Sequence, residues 1–424
     1  MSTADILDDL IARGLVHDTT AIDALRDRLA EGPITVYAGF DPTADSLHVG
    51  NLVPLLLLRR FQLHGHRPVA LAGGATGMIG DPGGRSAERN LLDAQTLDVN
   101  LAAIEPQLAM LLDFAPGDTQ ARLVDNRDWT APMGVLEFLR DVGKHVTVNT
   151  MLAKESVRSR VESEAGISYT EFSYMLLQAN DYRHLFATMQ VELQVGGSDQ
   201  WGNITAGIDL IRRTEGAHVH GLTVPLVTRA DGQKFGKSVD GAVWLSPERT
   251  TPYAFFQYFM NVDDADVERF LLQMTLLSTD EIAAVMAEHT AEPGRRRAQH
   301  ALARAVTALV HGEDEADRAA GASQGFTRAA ADLTAQDWQD LASSLPTVVV
   351  SPTDLGRDLV ELLADGGVVA SRSEGRRLVA QSGLSLNDAP VTEGQVLDPS
   401  DLGEHGYAMV RRGKKHRVVL QRID

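Results

Sequence analysis

Between residues 33 and 228 the chain alternates two apolar patterns. Short β-rich runs stand at 34–40, 68–72, 122–125, 192–195 and 222–228. Longer amphipathic or apolar stretches separate them, at 53–64, 95–112, 133–143, 170–179 and 201–213, with the length and spacing of helices. This βαβ rhythm predicts an α/β domain on a doubly wound parallel sheet, with ligands held at the carboxyl ends of the strands. After 238 the rhythm changes. Residues 252–312 read as helices with little strand, one of them opened near Pro293 and stopped at Gly312. A polar, Ala/Ser/Thr-rich stretch then predicts a hinge with one short helix near Trp338, and a small α+β pattern runs to the end. The expected division is 1–238, a helical domain 239–325, a linker 326–354 and a small α+β domain 355–424.

Composition narrows this picture. The 424 residues suffice for several domains and a large core. Cysteine is absent, which removes disulfides, thiolate nucleophiles and cysteine-based metal sites and points to a reducing cytosol. The opening MSTADILDDL has no basic leader, and no apolar run is long enough to cross a bilayer, so a cytoplasmic protein with no membrane partner is expected. With 39 Lys+Arg against 58 Asp+Glu, the formal charge of −19 repels nucleic acid overall. A nucleic-acid partner therefore needs a local basic patch. Arg372, Arg376 and Arg377 at helical spacing, with the run Arg411-Arg412-Gly413-Lys414-Lys415-His416-Arg417, supply one, although a solvated charged edge would look the same.

Five segments carry candidate chemistry. The first runs from Tyr37 through Asp41 and Thr43 to His48-Val49-Gly50-Asn51, between the first strand and the next helix. Pro54 suits a first helical turn, which places His48, Gly50 and Asn51 at a helix amino terminus, where free N–H groups and the dipole favour phosphate. Thr43 and His48 would add side-chain donors, and ordinary capping would use the same residues. The second, Gly73-Gly-Ala-Thr-Gly77-Met-Ile-Gly80-Asp81-Pro82-Gly-Gly-Arg85, matches neither GxGxxG nor GxxxxGK[ST], which disfavours dehydrogenases and phosphate-loop NTPases. Asp81 can hold an ammonium or close a turn before proline.

In the third, Tyr174, Gln178 and Asp181 stand at i, i+4 and i+7 of a helix with apolar neighbours, a stripe that predicts a polar-lined pocket for a small polar ligand. The fourth, from Gln194 to Gly197, Asp199 and Gln200, ends a strand; Asp199 is placed for a ribose, and Gly197 removes obstruction. The fifth, Lys234-Phe235-Gly236-Lys237-Ser238, sets two lysines around a glycine in a loop able to grip phosphates.

In this order the segments resemble the bacterial tyrosyl-tRNA synthetases, a family of class I aminoacyl-tRNA synthetases, over the whole chain. His48-Val49-Gly50-Asn51 looks like the HIGH signature, and Lys234 to Ser238 like the KMSKS loop. The resemblance implies a tyrosine–tRNA ligase: tyrosine is joined to the α-phosphate of ATP with release of pyrophosphate, then passed to the 3′ end of tRNA(Tyr). It also implies a Rossmann-like catalytic domain over 1–238, an anticodon-side helical domain, a small RNA-binding domain over 355–424, and a homodimer. By the same likeness Tyr37 and Asp181 would bind the substrate phenol, and Asp81, Tyr174 and Gln178 its α-ammonium. Gln200 and Asp41 would flank the reacting carboxylate and α-phosphate, Asp199 and Gly197 the ribose, and Thr43 and His48 the γ-phosphate. Lys234 and Lys237, with Arg85 and Arg89, would embrace the pyrophosphate, beside Gly50 and Ser238. Arg212 and Arg213 would meet the tRNA acceptor arm, and Arg372, Arg376, Arg377, Arg411, Arg412, Lys414 and Lys415 the rest of the tRNA.

Two positions depart from the family pattern. Asn51 replaces the second histidine of HIGH, and Ala38 stands where some relatives place a side chain near the ribose. The substrate carboxylate is already ionised, so no residue need act as nucleophile or base and the task is electrostatic. No dedicated metal-ligand set is visible, so Mg2+ is expected to arrive on the phosphate oxygens of ATP. The alternatives are a tryptophan-specific relative, which Tyr37 with Asp181 argues against, an adenylate former of the pantothenate-synthetase type, which lacks the basic tail, and a non-catalytic RNA-binding protein on a synthetase scaffold.

Overall fold

The structure is a computed structural model that describes residues 5–82, 92–162, 166–228, 230, 232, 235–238, 241–325, 328–413 and 416–423. It divides into two compact units, Met1–Thr250 with Val262–Ala305, and Thr251–Asn261 with Val306–Asp424.

In the first unit, β1 (Thr35–Phe40), β2 (Arg67–Ala72), β3 (Arg122–Asp125), β4 (Val191–Gly197) and β5 (His220–Val224) form a parallel sheet in the order β3-β2-β1-β4-β5. Such a sheet is covered on both faces, which is why β2 reads as a nearly unbroken buried run, Pro68 to Ala72. The order reverses between β1 and β4, the crevice where ligands sit in doubly wound folds. The helices of this part are α1 (Ile6–Ala12), α2 (Ile22–Ala30), α3 (Val49–Leu63), α4 (Ala94–Leu111), α5 (Arg127–Thr130), α6 (Val135–Asp141), α7 (Val148–Leu152), α8 (Glu155–Val161), α9 (Tyr169–Met189) and α10 (Trp201–Thr214). α9 and α10 pack closely because Gly207 faces Tyr182; a Cβ at Gly207 would lie 2.9 Å from the ring. A two-residue ladder, β6 (Lys237–Ser238) with β7 (Gly241–Ala242), follows β5.

Three elements differ from the sequence pattern. α3 starts at Val49 rather than 53, with His48 as its cap, so Pro54 lies inside the helix instead of in its first turn. β5 stops at Val224 because Pro225 has no N–H for the ladder. α9 continues ten residues past Ala179: Asn180, Asp181 and Tyr182 are all buried, so their polarity does not mark a solvent face. It ends at Gln190 in the left-handed conformation, whose N–H returns to Leu185 and Phe186.

Further along lie α11 (Pro252–Met260), α12 (Asp264–Met274), α13 (Thr279–Ala291), α14 (Arg297–His311, within which the division falls), α15 (Glu313–Gly325), α16 (Ala335–Ser344), α17 (Leu359–Asp365) and α18 (Arg372–Ala380). The second unit holds a sheet β10-β9-β11-β12-β8, formed by β8 (Thr347–Val350), β9 (Leu384–Leu386), β10 (Ala389–Pro390), β11 (Tyr407–Arg412) and β12 (His416–Arg422). The stretch 326–354, expected as a linker with one short helix near Trp338, holds that helix as α16 and also the strand β8, which pairs in parallel with β12. The four-residue run Thr-Val-Val-Val that makes β8 is too short to stand out from its polar surroundings. Alternate residues of β11 and β12 enter two cores: Met409 and Val419 join Tyr253, Trp338 and Leu341, whereas Val410 and Leu420 join Leu359, Leu363 and Leu386. Among the described residues no helix is long and apolar enough to cross a membrane.

Candidate active site

A cavity of about 710 Å3 opens where β1, β4 and β5 end. Tyr37, Asp41, Thr43, His48, Gly50, Asn51, Asp81, Tyr174, Gln178, Asp181, Gly197, Asp199 and Gln200 all line it, so four of the five sequence segments converge on one space. From the fifth, Phe235 and Gly236 reach the lining. Lys234, with Arg85 and Arg89, lies outside the described residues. The backbones of Lys237 and Ser238 pair with Ala242 and Gly241.

At one end, Tyr37 leaves β1 and Asp181 leaves α9, at 1% and 2% exposure. Asp181 accepts from Asn126 Nδ2 at 2.9 Å through one carboxylate oxygen and from Trp129 Nε1 at 2.8 Å through the other. Burial still outweighs these donors and pushes its pKa up to about 7. Burial, with Asp181 close by, also raises the Tyr37 phenol well above its ordinary value, so Tyr37 is a hydroxyl donor at any working pH. The hydroxyl of Tyr37 has no protein partner among the described residues, nor do the Oε1 atoms of Gln178 and Gln194, two further residues of the same wall. Buried polar atoms are rarely left so, and three on residues that line one cavity are groups whose hydrogen bonding a ligand there can complete.

A chain of hydrogen bonds runs from this end toward the sheet edge. Asn126 Nδ2 also donates to Thr76 Oγ1 (3.0 Å), Thr76 donates to Asp41 (2.8 Å), and Tyr174 Oη donates to the other Asp41 oxygen (2.9 Å). Asp41 thus fixes the Tyr174 ring, whose phenol is raised well above its ordinary pKa by burial and then by Asp41. The approach requires glycine at 73, where a Cβ would lie 2.2 Å from Asp41 Oδ1. Asp81, at 6% exposure, accepts from Gln200 Nε2 (2.6 Å) and Asn203 Nδ2 (3.2 Å), while Asn203 in turn accepts from Lys154. Burial lowers the pKa of Lys154, with Asp81 and Asp199 as its nearby opposing charges.

The other end is the start of α3. His48 Nδ1 accepts from the Gly50 N–H at 3.0 Å, and Asn51 Oδ1 accepts from the His48 N–H at 3.1 Å. The arrangement is a capping box written with histidine and asparagine, and it leaves the carboxamide nitrogen of Asn51 as a donor. Gly50 is needed here, since a Cβ would lie 2.7 Å from the His48 ring. Thr43 and Asp199 are exposed, and His48, Gly50 and Asn51 half-buried. Among the described residues no cluster of three or more His, Cys, Asp or Glu could hold a metal ion.

The sequence pattern assigned no role to Thr76, Gln194 and Asn203, although they lie in the segments it singled out, and passed over Asn126, Trp129 and Lys154. Asn126 directly follows β3, and Thr76 lies in the glycine loop after β2, so strand-end position is the signal that could have found them. Trp129 and Lys154 carry no such mark. The basic residues lie elsewhere. Arg212 pairs with Asp209 (3.0 Å), and Arg213 donates to the His145 carbonyl (2.5 Å). In the second unit Arg372 pairs with Glu361 (3.0 Å) and Arg411 with Asp388 (3.2 Å); Arg376 and Arg377 are exposed, and Arg412 is half-buried. Lys414 and Lys415 lie outside the described residues.

Comparisons with known proteins agree with this geometry. Residues 29–327 match the family model of tRNA synthetases class I (W and Y), and residues 337–420 match that of the tyrosine--tRNA ligase SYY-like C-terminal domain. The chain is 55% identical to a tyrosine--tRNA ligase of Opitutus terrae over 421 residues, covering 98% of this chain and 99% of that protein. It is 48% identical over 420 residues to the one of Geobacillus stearothermophilus, at 98% and 99% coverage. Among solved structures, a C-terminally truncated mitochondrial tyrosyl-tRNA synthetase from Aspergillus nidulans superposes with a TM-score of 0.70 at 32% identity, covering 76% of this chain and 94% of that one. The chain belongs to the tyrosine–tRNA ligases, within the class I tRNA synthetases.

Proposed function

We propose that this cavity binds L-tyrosine with its phenol between Tyr37 and Asp181 and its ammonium among Asp81, Tyr174 and Gln178, and binds ATP along the strand ends. A tyrosine carboxylate oxygen attacks the α-phosphate, the bond from that phosphorus to the bridging oxygen breaks, and pyrophosphate leaves with the electron pair. A hydroxyl oxygen of the terminal tRNA ribose then attacks the tyrosyl carbonyl carbon, the bond from that carbon to the AMP oxygen breaks, and AMP leaves with the electron pair while the hydroxyl gives up its proton. The three unpartnered buried atoms, Tyr37 Oη, Gln178 Oε1 and Gln194 Oε1, carry this reading, because a phenol and an amino acid head complete them. Asp181 has both oxygens engaged and accepts further hydrogen bonds on its remaining lone pairs. Tryptophan fits less well: its indole N–H can reach a carboxylate, but it offers no lone pair to the Tyr37 hydroxyl.

The α3 amino terminus, with Thr43, His48 and Asn51, takes the terminal phosphates, and Lys234 and Lys237 close on the leaving group. Gly197 and Asp199 contact the ribose, and Asp41 and Gln200 the α-phosphate region. Magnesium comes with ATP as part of the substrate. Arg212, Arg213 and the arginines of the second unit hold tRNA phosphates; the ion pairs of Arg212, Arg372 and Arg411 are surface pairs of the weak kind, easily exchanged. The reaction is cytosolic.

The active form is a homodimer. Val135, Leu136, Leu139, Val148, Leu152 and Tyr169 are exposed large apolar residues within one stretch of sequence, Leu136 at 83% and Tyr169 at 71%. Leu136→Glu should yield a monomer in sedimentation; an unchanged dimer contradicts that face. Tyrosine-dependent exchange of labelled pyrophosphate into ATP, followed by charging of tRNA(Tyr), tests the function itself. Exchange supported by tryptophan alone, or by no amino acid, overturns the reading.

A further inference from the structure

Asp181 has two donors, and they are held in different ways. Asn126 is locked by backbone: its Oδ1 accepts from the Ala75 N–H at 2.7 Å while its Nδ2 reaches Thr76 and Asp181. Trp129 has no such second hydrogen bond on its ring. It sits on α5, a helix of four residues with no side-chain cap, and its indole packs along the edge of the cluster containing Tyr37 and Tyr182. The flat face of the indole lies against His184, whose ring stacks on it with centroids 4.4 Å apart and planes 13° apart. His184 stands three residues after Asp181 on α9, so one helix face presents both the carboxylate and the plate against which its donor lies.

We propose that His184 is a positioning residue for tyrosine selection, acting through Trp129 on the Asp181 carboxylate. The inference rests on the reading of Tyr37 and Asp181 as the phenol site. His184 itself does not line the cavity, and so touches no substrate there. Its half-buried ring is kept neutral, burial and the neighbouring Arg183 both lowering its pKa, so it brings no cation beside the carboxylate. A flat, uncharged ring holds the indole face and leaves its N–H aimed along the plane at Asp181 Oδ1. Without that plate the indole can tilt and the N–H leaves the carboxylate. Asp181 then keeps one fixed donor and can turn away from the phenol.

The test compares His184→Leu, His184→Phe and Trp129→Phe in pyrophosphate exchange with tyrosine and with phenylalanine, using the full chain. His184→Leu should raise KM for tyrosine and lower the tyrosine-to-phenylalanine ratio of kcat/KM, each about threefold to tenfold, the scale of weakening without abolishing one hydrogen bond to a charged group, with kcat within about twofold. His184→Phe, which keeps a flat uncharged ring, should stay within about twofold of wild type. Trp129→Phe, which keeps a stack but loses the N–H, should lose selectivity as His184→Leu does. Unchanged selectivity in His184→Leu overturns the inference, as does an equal loss for both amino acids through kcat, or a failure of His184→Phe to restore the ratio. Wild type that shows no preference for tyrosine would instead overturn the phenol site itself, a separate and distinguishable failure.

Discussion

The two ends of the cavity are built from different material. At the phenol end Tyr37, Asp181 and Tyr174 are at most 5% exposed, and Asp181 and Tyr174 are tied into a continuous hydrogen-bonded chain through Asn126, Thr76 and Asp41. At the phosphate end the groups are a helix cap and loop residues, half-buried or exposed. A buried, pre-aligned set discriminates, because a substrate that fails to pair leaves polar atoms stranded at about 1–3 kcal/mol each. Accessible groups beside the reacting phosphate can bind more tightly as charge develops, which is what raises rate rather than affinity. Selectivity and acceleration are therefore expected to separate by position along the cavity.

Substitutions at the two ends should break this comparison in opposite senses. The largest effect is expected from Asp181→Ala. It removes the phenol's acceptor and strands the donors of Asn126 and Trp129, so the tyrosine-to-phenylalanine ratio of kcat/KM should fall by roughly 10² to 10³, about two such penalties. A retained ratio contradicts the assignment. Next, Lys237→Ala should slow adenylate formation about a hundredfold, about 3 kcal/mol, while tyrosine affinity measured by equilibrium binding stays near wild type. A large loss of tyrosine affinity at unchanged rate runs against the division of labour.

A smaller effect comes with pH. Asp181, raised to about 7 by burial, must be ionised to accept from Asn126, Trp129 and the phenol together. Tyrosine binds the ionised form, so kcat/KM for tyrosine should drop by about tenfold per unit as pH falls below about 7, and be level above it. A flat profile across pH 6–8 would mean that Asp181 is not the acceptor. Smallest is Asn51→Ala: losing its cap on the His48 N–H should cost about 1 kcal/mol in thermal or denaturant unfolding, and the rate of adenylate formation should change only a few-fold.

The same contrast governs how far the site could be read before the fold was known. Residues that stand in a strand, just after one, or along one stripe of a helix, such as Tyr37, Gln200 and Asp181, carry their position in the local pattern, and the cavity gathers them. The supporting shell does not. Trp129 and His184 meet only because α5 is laid beside α9, a tertiary fact with no trace in either segment's periodicity. The five parallel strands were legible from their short β-rich runs, most plainly in β2, whose residues Pro68 to Ala72 are all buried as in a sheet covered on both faces. The far half of α9 was hidden because its polar residues are buried, and β8 because four residues make too weak a pattern.

The most direct test is a crystal structure of the full chain with L-tyrosine bound. The phenol oxygen should lie within hydrogen-bonding distance of both Tyr37 Oη and an Asp181 carboxylate oxygen, with the amino group against Asp81 and Gln178. A tyrosine seated with its ring toward His48 and its ammonium toward Asp181 would contradict it.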